Sequence, residues 1–366
     1  MNHLKTALVV LLLQFSVSLH AAEFCVTTAT ELYNALTVAE SNASHDIIKI
    51  AEGSYVTNGV PFNYDENLGW DLDISGGWTD HSGNPCGQQL GNNPYGTILD
   101  GNSNSGVLLI GLSGDTNLRV ANLYFTNGYD AASIGAGLYI YHGSNPIMGT
   151  IVIENNIFIN NETEYASALY SYGGDKTIVR NNLFFANHAL EANSVMIFQR
   201  GGYGVYFTNN TVAFNTAAIS LTLKAGAFIS VNSPSQGLVA NNVFWGNGHE
   251  DLALFGSGDI YLKNNNLGTM AEGSNYNTPL ESRDNFSLPP RFDAGSLNFT
   301  PSAISPLVNA GVKPCFFCPI PIPFDESWSL GATDLAGNLR TQSSKVDIGA
   351  FESSHDRDLI FWGIFE

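Results

Sequence analysis

A pair of adjacent asparagines that recurs five times in the middle of this 366-residue chain is the feature that most constrains its fold. The first member stands at positions 155, 181, 209, 241 and 264, so successive copies are 26, 28, 32 and 23 residues apart. Helical repeats would show a periodicity of about 3.6 residues, which is not visible here, and propeller blades need roughly 40 to 50 residues. A drifting period in the twenties therefore predicts the coils of a β-solenoid, whose turns can absorb insertions.

Each copy of the repeat has apolar residues on both sides of the asparagine pair. We expect two inward-facing columns, formed by Ile153, Val179, Phe207, Val239 and Leu262, and by Phe158, Phe184, Val212, Phe244 and Leu267. Asparagine tolerates the left-handed backbone region, so the pair suits a sharp bend between strands. The first asparagines would stack about 4.8 Å apart and hydrogen-bond along the column. The residues before the pairs, among them Glu154 and Arg180, would face solvent, where these two could form an ion pair.

The ends of such a stack need a cover, because unpaired edge strands invite aggregation. Thr28 and Glu31 fit a capping box, and Leu32, Ala35, Leu36 and Ala39 recur at helical spacing, which predicts a short N-terminal helix over the first coil. Segments 46–50, 70–75, 97–99 and 107–110 predict further strands. From about residue 270 the pattern dissolves into loops that we expect to close the far end. We therefore predict an all-β chain, with a parallel β-helix domain over residues 23–352.

Residues 1–22 have the pattern of a signal peptide. Residues 7–13 form an unbroken apolar run, and Ala21 and Ala22 offer a cleavage site. The run is too short to span a bilayer of about 30 Å. No later stretch approaches 18 apolar residues, so we expect no transmembrane segment in the mature chain.

Four cysteines suggest disulfide bonds, which form in exported proteins. We expect Cys25–Cys86 and Cys315–Cys318, although four cysteines allow three pairings. The chain has 14 basic and 33 acidic residues, a net charge of −19. This excess of acid excludes nucleic acid and anionic lipid as partners, since neither phosphate nor a lipid headgroup would be neutralised. It would also repel a polyuronate unless Ca²⁺ bridged the two.

Several segments resemble a known family. They are the opening part through Cys86, residues 97–101, the asparagine coils, and the closing motifs 305–311, 334–340 and 346–352. With them the chain resembles secreted bacterial right-handed parallel β-helix proteins of the choice-of-anchor Q type. The resemblance implies a single-stranded right-handed coil and export, but no reaction. The tail, residues 353–366, is similar to a C-terminal sorting motif of some Gram-negative bacteria, which implies a secreted, extracellular or cell-envelope location.

No catalytic signature is visible, and no cofactor is required. If the protein were a polysaccharide lyase, it would need a base, for which the candidates are Arg180, Arg200 and Lys224. Acidic residues that could hold Ca²⁺ are Asp175, Glu250 and Asp251. Asp71 and Asp73 share one strand face and could serve a hydrolase. An arginine or lysine beside two carboxylates in one groove would favour an enzyme.

Tyrosines in the middle coils are candidates for stacking on sugar rings. Tyr139 and Tyr141 would share one strand face, as would Tyr170 and Tyr172, and Tyr203 follows in the next coil. The alternative is an aromatic stack in the core. Our leading hypothesis is a secreted or surface β-helix that binds extracellular polysaccharide or a partner. The alternatives are a polysaccharide lyase or glycoside hydrolase acting in a groove along the coils, and a structural cell-surface component.

Overall fold

The computed structural model describes residues 21–66, 68–79, 86–91, 93–143, 149–199, 202–217, 225–294, 298–313, 330–340 and 345–355. These residues form a parallel β-helix, in which each strand pairs in parallel with the equivalent strand of the next coil. The described helices are one α-helix, Ala29–Ser41, and one 3₁₀ turn, Pro94–Gly96. The predicted fold class is confirmed.

Four sheets, here called A to D, run along the axis of the described β-helix. The ten strands of sheet A are Ala22–Val26, Asp46–Ala51, Leu72–Trp78, Leu118–Ala121, Thr150–Glu154, Lys176–Arg180, Gly204–Thr208, Gln236–Ala240, Asp259–Lys263 and Glu281–Arg283. The eight strands of sheet B are Gly53–Val56, Thr97–Asp100, Tyr124–Thr126, Ile157–Ile159, Leu183–Phe185, Thr211–Ala213, Val243–Trp245 and Asn266–Leu267.

Sheets C and D complete the circumference of the described coils. The seven strands of sheet C are Phe62–Asp65, Leu108–Leu112, Leu138–His142, Leu169–Tyr172, Val195–Gln199, Ala225–Val231 and Glu250–Phe255. The four strands of sheet D are Tyr129–Ile134, Glu162–Tyr165, His188–Ala192 and Thr216–Ala217. A coil that contains all four sheets passes through A, B, D and C in that order.

The two predicted apolar columns fill the interior. All ten side chains belong to or pack against one continuous hydrophobic core, and nine of them are at most 1% exposed. Leu267, near the end of the stack, is partly buried. The rings of Phe158 and Phe184 stack at 4.8 Å between centroids. Because burial of one such side chain contributes about 1.5 to 3 kcal/mol, these columns stabilise the coils substantially.

Two columns of asparagine side chains hold the corners on either side of sheet B. The corner between sheets A and B contains Asn156, Asn182, Asn210, Asn242, Asn265 and Asn285, and the corner between sheets B and D contains Asn161, Asn187, Asn215 and Asn247. In each column the backbone N–H and the Nδ2 group of one asparagine both donate to Oδ1 of the next, at 2.8 to 3.2 Å. The columns therefore satisfy backbone donors that the bends would otherwise leave unpaired inside the protein.

The expectation that the first asparagine of each pair forms such a column is wrong, because the second one does so. The first asparagines have φ values between 50° and 58°, in the left-handed region. In four of the five pairs the amide of this asparagine bonds to the C-terminal part of the chain. The column between sheets B and D was missed, although its members all stand five residues after the second asparagine of a pair.

The N-terminal end has the predicted cover. Thr28 is the N-cap of the α-helix and accepts a hydrogen bond from the N–H of Glu31 at 3.2 Å. Leu32, Ala35, Leu36 and Ala39 are buried against the first coils. The Cys25–Cys86 disulfide is confirmed. Cys315 and Cys318 lie outside the described residues, and so do residues 1–20 and 356–366, which hold nearly all of the predicted signal peptide and sorting motif.

The C-terminal segment, defined here as the described residues from 298 to 355, packs along the outside of sheet B. Its apolar side chains, including Phe299, Leu335 and Phe351, cover Ile157 and Leu183. The far end of the coils is instead followed by a short strand, Glu281–Arg283. We expected the chain from about residue 270 to close the far end of the coils. For the C-terminal segment this expectation is wrong, because the segment packs on the apolar outer face of sheet B instead.

The first asparagines of the repeat fasten this C-terminal segment. In four of them Nδ2 donates a hydrogen bond to a backbone carbonyl of the segment, at 2.6 to 3.3 Å. The pairs are Asn264 with Ala310, Asn241 with Val312, Asn209 with Asp347 and Asn181 with Leu330. Thr208 and Ala240, which precede two of these pairs, are fully buried, contrary to the expectation that this position faces solvent.

A buried ion pair holds the closing motifs together. Arg340, which is fully buried, donates from Nη1 to Glu352 at 2.6 Å and from Nη2 to Oδ1 of Asn181 at 2.6 Å. Asp334 accepts the backbone N–H of Glu352, and Asp347 accepts those of Asn309 and Ser353. The charged residues of these motifs therefore have structural partners.

The asparagine columns predict a local stability effect. Asn182→Ala removes the acceptor for two donors of Asn156 and the donor to the Ile153 carbonyl, all of them buried. We expect it to lower the free energy of unfolding by about 3 kcal/mol, because buried polar groups are left unpaired. Asn275→Ala, at an exposed turn, is the control and should change it by less than about 0.5 kcal/mol. Denaturant unfolding measures both, and equal effects would contradict the role of the column.

Buried carboxyl groups predict how stability depends on pH. Burial raises the pKa of Glu352 from 4.5 to about 7, against the opposing effect of Arg340. Burial also raises the pKa of Asp73 and of Asp347. Between the unfolded and folded pKa values the folded chain binds more protons, so its stability falls as pH rises through this window.

We therefore expect the contribution of Glu352 to the thermal midpoint to fall between about pH 5 and pH 8, against an opposite contribution from His142, whose pKa burial lowers. Glu352→Gln cannot ionise, so it should flatten this fall, whereas Glu272→Gln, at an exposed position, should leave the slope unchanged. Thermal unfolding followed by circular dichroism over this range tests the prediction. Equal slopes in Glu352→Gln and in the wild-type protein would contradict it.

Candidate functional site

Sheet C carries an aromatic surface on its outer face. Alternation along the strands points Leu138 and Ile140 inwards and Tyr139 and Tyr141 outwards. The outward aromatic side chains of successive strands form what we call the aromatic strip, which consists of Tyr139, Tyr141, Tyr170, Tyr172, Phe198, Phe228 and Phe255. The alternative of a core stack is excluded for these tyrosines, since the core of the same strands is aliphatic.

The rings of the aromatic strip contact one another from coil to coil. Tyr139 stacks on Tyr170 and Tyr141 on Tyr172, both at 5.1 Å between centroids. Phe198 continues the strip, 5.7 Å from Tyr170. Four strand spacings of about 4.8 Å separate its first and last strands, so the strip is about 19 Å long.

Exposure decides what the strip can do. Tyr141 is 43% exposed and Phe255 is 38% exposed, while Phe228 is only 4% exposed because Ala271 and Tyr276 pack near it. The strip is therefore accessible from its N-terminal strand to Phe198 and again at Phe255. Stacked rings keep their faces in contact with each other, so their edges and hydroxyl groups are what a ligand meets.

A pocket adjoins the N-terminal end of the strip. It has a volume of about 330 Å³, and its lining includes Leu109, Tyr129, Asp130 and Gly135. Leu109 pairs with Tyr139 in the ladder, so it stands in the same outward row as the strip. A side chain at Gly135 would collide with the strip, since its Cβ would lie 3.0 Å from the Cβ of Tyr139. Glycine at this position therefore keeps the pocket and the strip continuous.

A ladder of alternating charges crosses the outer face of sheet A. Arg119 donates to Asp73 at 3.1 Å and to Glu154 at 2.8 Å, and Arg180 donates to Glu154 at 2.6 Å. The expected pair between Glu154 and Arg180 is thus confirmed. Burial alone would raise the pKa of Glu154, but Arg180 and Arg119 hold it below its ordinary value. Burial raises the pKa of Asp73 more than Arg119 lowers it.

The N-terminal part of this ladder lines a second pocket, of about 290 Å³. Asp71 and Asp73 both face it, as their spacing predicts, together with His45 and Arg119. Nδ1 of His45 lies 3.2 Å from the carboxylate of Asp71, which also accepts two hydrogen bonds from Asn117. Arg119 therefore lies beside two carboxylates, Asp73 and Glu154, an arrangement that favours an enzyme. The sequence did not indicate Arg119 as a candidate residue.

The predicted site residues are not brought together. Tyr170 and Tyr172 lie on the strip, whereas Arg180 belongs to the ladder on sheet A. Tyr203 is 62% exposed, but it precedes a sheet A strand, and its N–H donates to the carbonyl of Asp175 at 2.7 Å. Arg200 and Lys224 lie outside the described residues.

The three predicted calcium ligands also lie apart. Asp175 lies at the turn that follows the sheet C strand Leu169–Tyr172. Glu250 and Asp251 begin the strand Glu250–Phe255, which lies three strands further along sheet C. The carboxylate of Asp251 ends an asparagine column, since it accepts from Asn247 and from Thr269. Among the residues that the structure describes, no group of three or more His, Cys, Asp or Glu side chains could hold a metal ion.

The sequence could have indicated more of the strip. Phe198, Phe228 and Phe255 stand at outward positions of the strands that follow Tyr172, but they belong to coils whose strand register was not assigned. Once the register is known, strict alternation finds them.

Comparison with known proteins agrees with this fold. Residues 97–267 match the family model of the right-handed β-helix region. No curated protein matches the chain, and no solved structure does. Within the described part of the chain, neither helix has both the length and the apolar character needed to cross a lipid bilayer.

Proposed function

We propose that the protein is an exported right-handed β-helix that binds extracellular polysaccharide along the aromatic strip of sheet C. The observation that carries the proposal is a row of partly exposed tyrosines repeated at the strand spacing, from Tyr139 and Tyr141 to Tyr170 and Tyr172. Tyrosine suits this task because its ring contacts the apolar face of a sugar while its hydroxyl group bonds to sugar hydroxyls. A polymer with its own regular repeat matches a surface with a regular repeat.

Three further observations support this proposal. Sheet B is covered by the C-terminal segment, whereas the strip is partly exposed. The adjoining pocket adds a carboxylate, Asp130, and a phenol, Tyr129, at one end of the strip. The Cys25–Cys86 disulfide favours an oxidising compartment, in line with the expected signal peptide and a location outside the cytoplasm.

Ring removal tests the proposal. Tyr172→Ala deletes a ring that contacts both Tyr141 and Phe198, so we expect it to weaken polysaccharide binding about tenfold. Affinity electrophoresis in gels containing a neutral β-glucan, chitin-derived polymer or polygalacturonate measures this retardation. Tyr95→Ala, which removes an exposed ring on the sheet B side, and Tyr203→Ala should bind as the wild-type protein does. Binding that depends on Tyr203 and not on Tyr172 would place the site at the turn between sheets C and A.

A hydrolase is the second candidate function, and the pocket on sheet A favours it. Asp71 and Asp73 line this pocket together with Arg119, and burial raises the pKa of Asp73, as the role of a general acid requires. We expect such an enzyme to release reducing ends from one of the same polysaccharides. Asp73→Asn should abolish this release without affecting retardation by the strip.

Product analysis separates the enzymatic alternatives. A lyase would instead release an unsaturated product that absorbs ultraviolet light, and that activity would require Arg200 or Lys224 rather than Asp73. Asp259→Asn serves as the matched control, since it removes an exposed carboxylate from sheet A and leaves the lining of the pocket intact. If neither product forms, the binding function remains and the catalytic one is rejected.

A further inference from the structure

The surroundings of the aromatic strip are strongly acidic. Partly exposed carboxylates lie on sheets C and D or at their ends, namely Asp65, Asp130, Glu162, Glu164, Glu191 and Glu250. The described lysines and arginines all lie on sheet A strands or between residues 283 and 345. Arg200 and Lys224, outside the described residues, are adjacent in sequence to sheet C strands, but two cations do not balance six carboxylates.

Some of these carboxylates lie next to the strip. Asp65 pairs with Gly111, and Gly111 pairs with Tyr141, so the three stand in one outward row. A Cβ at Gly111 would lie 2.6 Å from Oδ1 of Asp65, which shows that the carboxylate extends over the glycine. The absence of a side chain at Gly111 therefore leaves this carboxylate open towards the strip.

Other carboxylates flank the strip along sheet D. Desolvation and the carboxylates of Glu164 and Glu191 raise the pKa of the Tyr165 phenol. Tyr165 ends a sheet D strand, four residues before the sheet C strand that begins at Leu169. At the far end, desolvation and Glu250 raise the pKa of Tyr276, which packs beside Phe228. Carboxylates on several sides of the strip attract a cation through their charges.

We infer that the ligand of the strip is a polymer of amino sugars with free, protonated amines. This inference rests on the proposed function and narrows it to one class of polysaccharide. A neutral glycan would use the rings but not the charge of the carboxylates, and a polyuronate would be repelled by that charge. A chain of glucosamine units offers both an apolar ring face and one ammonium group for each residue, which matches the two components of the surface.

Matched oligosaccharides test the inference. Hexamers of glucosamine and of N-acetylglucosamine have the same backbone and differ in charge. At about pH 6 we expect the wild-type protein to bind the glucosamine hexamer about tenfold more tightly than the acetylated one. Raising the salt concentration from about 0.05 to 0.5 M should abolish most of this preference, because exposed charges are then screened. Isothermal titration calorimetry measures each affinity.

Charge-neutralising variants locate the effect. Asp65→Asn and Glu164→Gln keep the side-chain shape and should each reduce the preference for the glucosamine hexamer severalfold, with little change for the acetylated one. Asp259→Asn, which removes an exposed carboxylate from sheet A, is the matched control and should keep the full preference. Tyr172→Ala should weaken the binding of both hexamers. An unchanged thermal midpoint shows that each variant is folded.

The outcomes separate this inference from the proposed function. Equal affinity for the two hexamers, or tighter binding of the acetylated one, overturns the amino-sugar assignment while the strip remains a polysaccharide site. A preference that disappears in Asp259→Asn but not in Asp65→Asn or Glu164→Gln also overturns it, since the charge would then act from sheet A. Failure of both hexamers and of every polymer in the electrophoresis panel overturns the proposed function itself.

Discussion

Hydrogen bonding at the corners is the constraint on which the rest of this structure depends. A β-helix must bend its backbone several times in each coil, and each bend turns N–H groups towards a dry interior. The columns led by Asn156 and Asn161 satisfy these groups with one residue type, because asparagine donates and accepts at the same time. Each rung sets the position of the next, so the strands keep a common register over the whole stack. The outward positions then fall into straight rows, which a surface site can use.

The outer faces of sheets A, B and C differ in what covers them, and the side chains that do not form the corner columns determine this. The first asparagine of each pair takes the left-handed conformation, and in four of the five pairs its amide fastens the C-terminal segment over sheet B. Sheet A is crossed by ion pairs, in which Arg119 lies between Asp73 and Glu154, and Glu154 lies between Arg119 and Arg180. Sheet C carries rings that stack on one another from coil to coil. One sequence repeat thus produces an anchored face, a charged face and an aromatic face.

The sequence predicts this architecture well where the residue type and its spacing to nearby residues determine the role of a side chain. The apolar columns, the capping helix from Thr28 and the Glu154–Arg180 pair follow from alternation, spacing and chemistry. The sequence could not show that the second asparagine of each pair, and not the first, forms the column. Both asparagines tolerate a bend, and only their backbone angles distinguish them. The path of the C-terminal segment depends on contacts across more than 130 residues, such as the one between Asn209 and Asp347, and no local pattern encodes it.

The candidate sites show the same division. Tyr170 and Tyr172 were found because alternation within one strand places both on one face. Arg119 was missed because its importance comes from its neighbours, Asp73 and Glu154, which are 46 and 35 residues away in sequence. In a β-helix, residues one coil apart become direct neighbours, so a site consists of rows that run across the sequence. The chemistry of such a surface depends on which outward residues share a row, and insertions in the turns determine that as much as the residues themselves do.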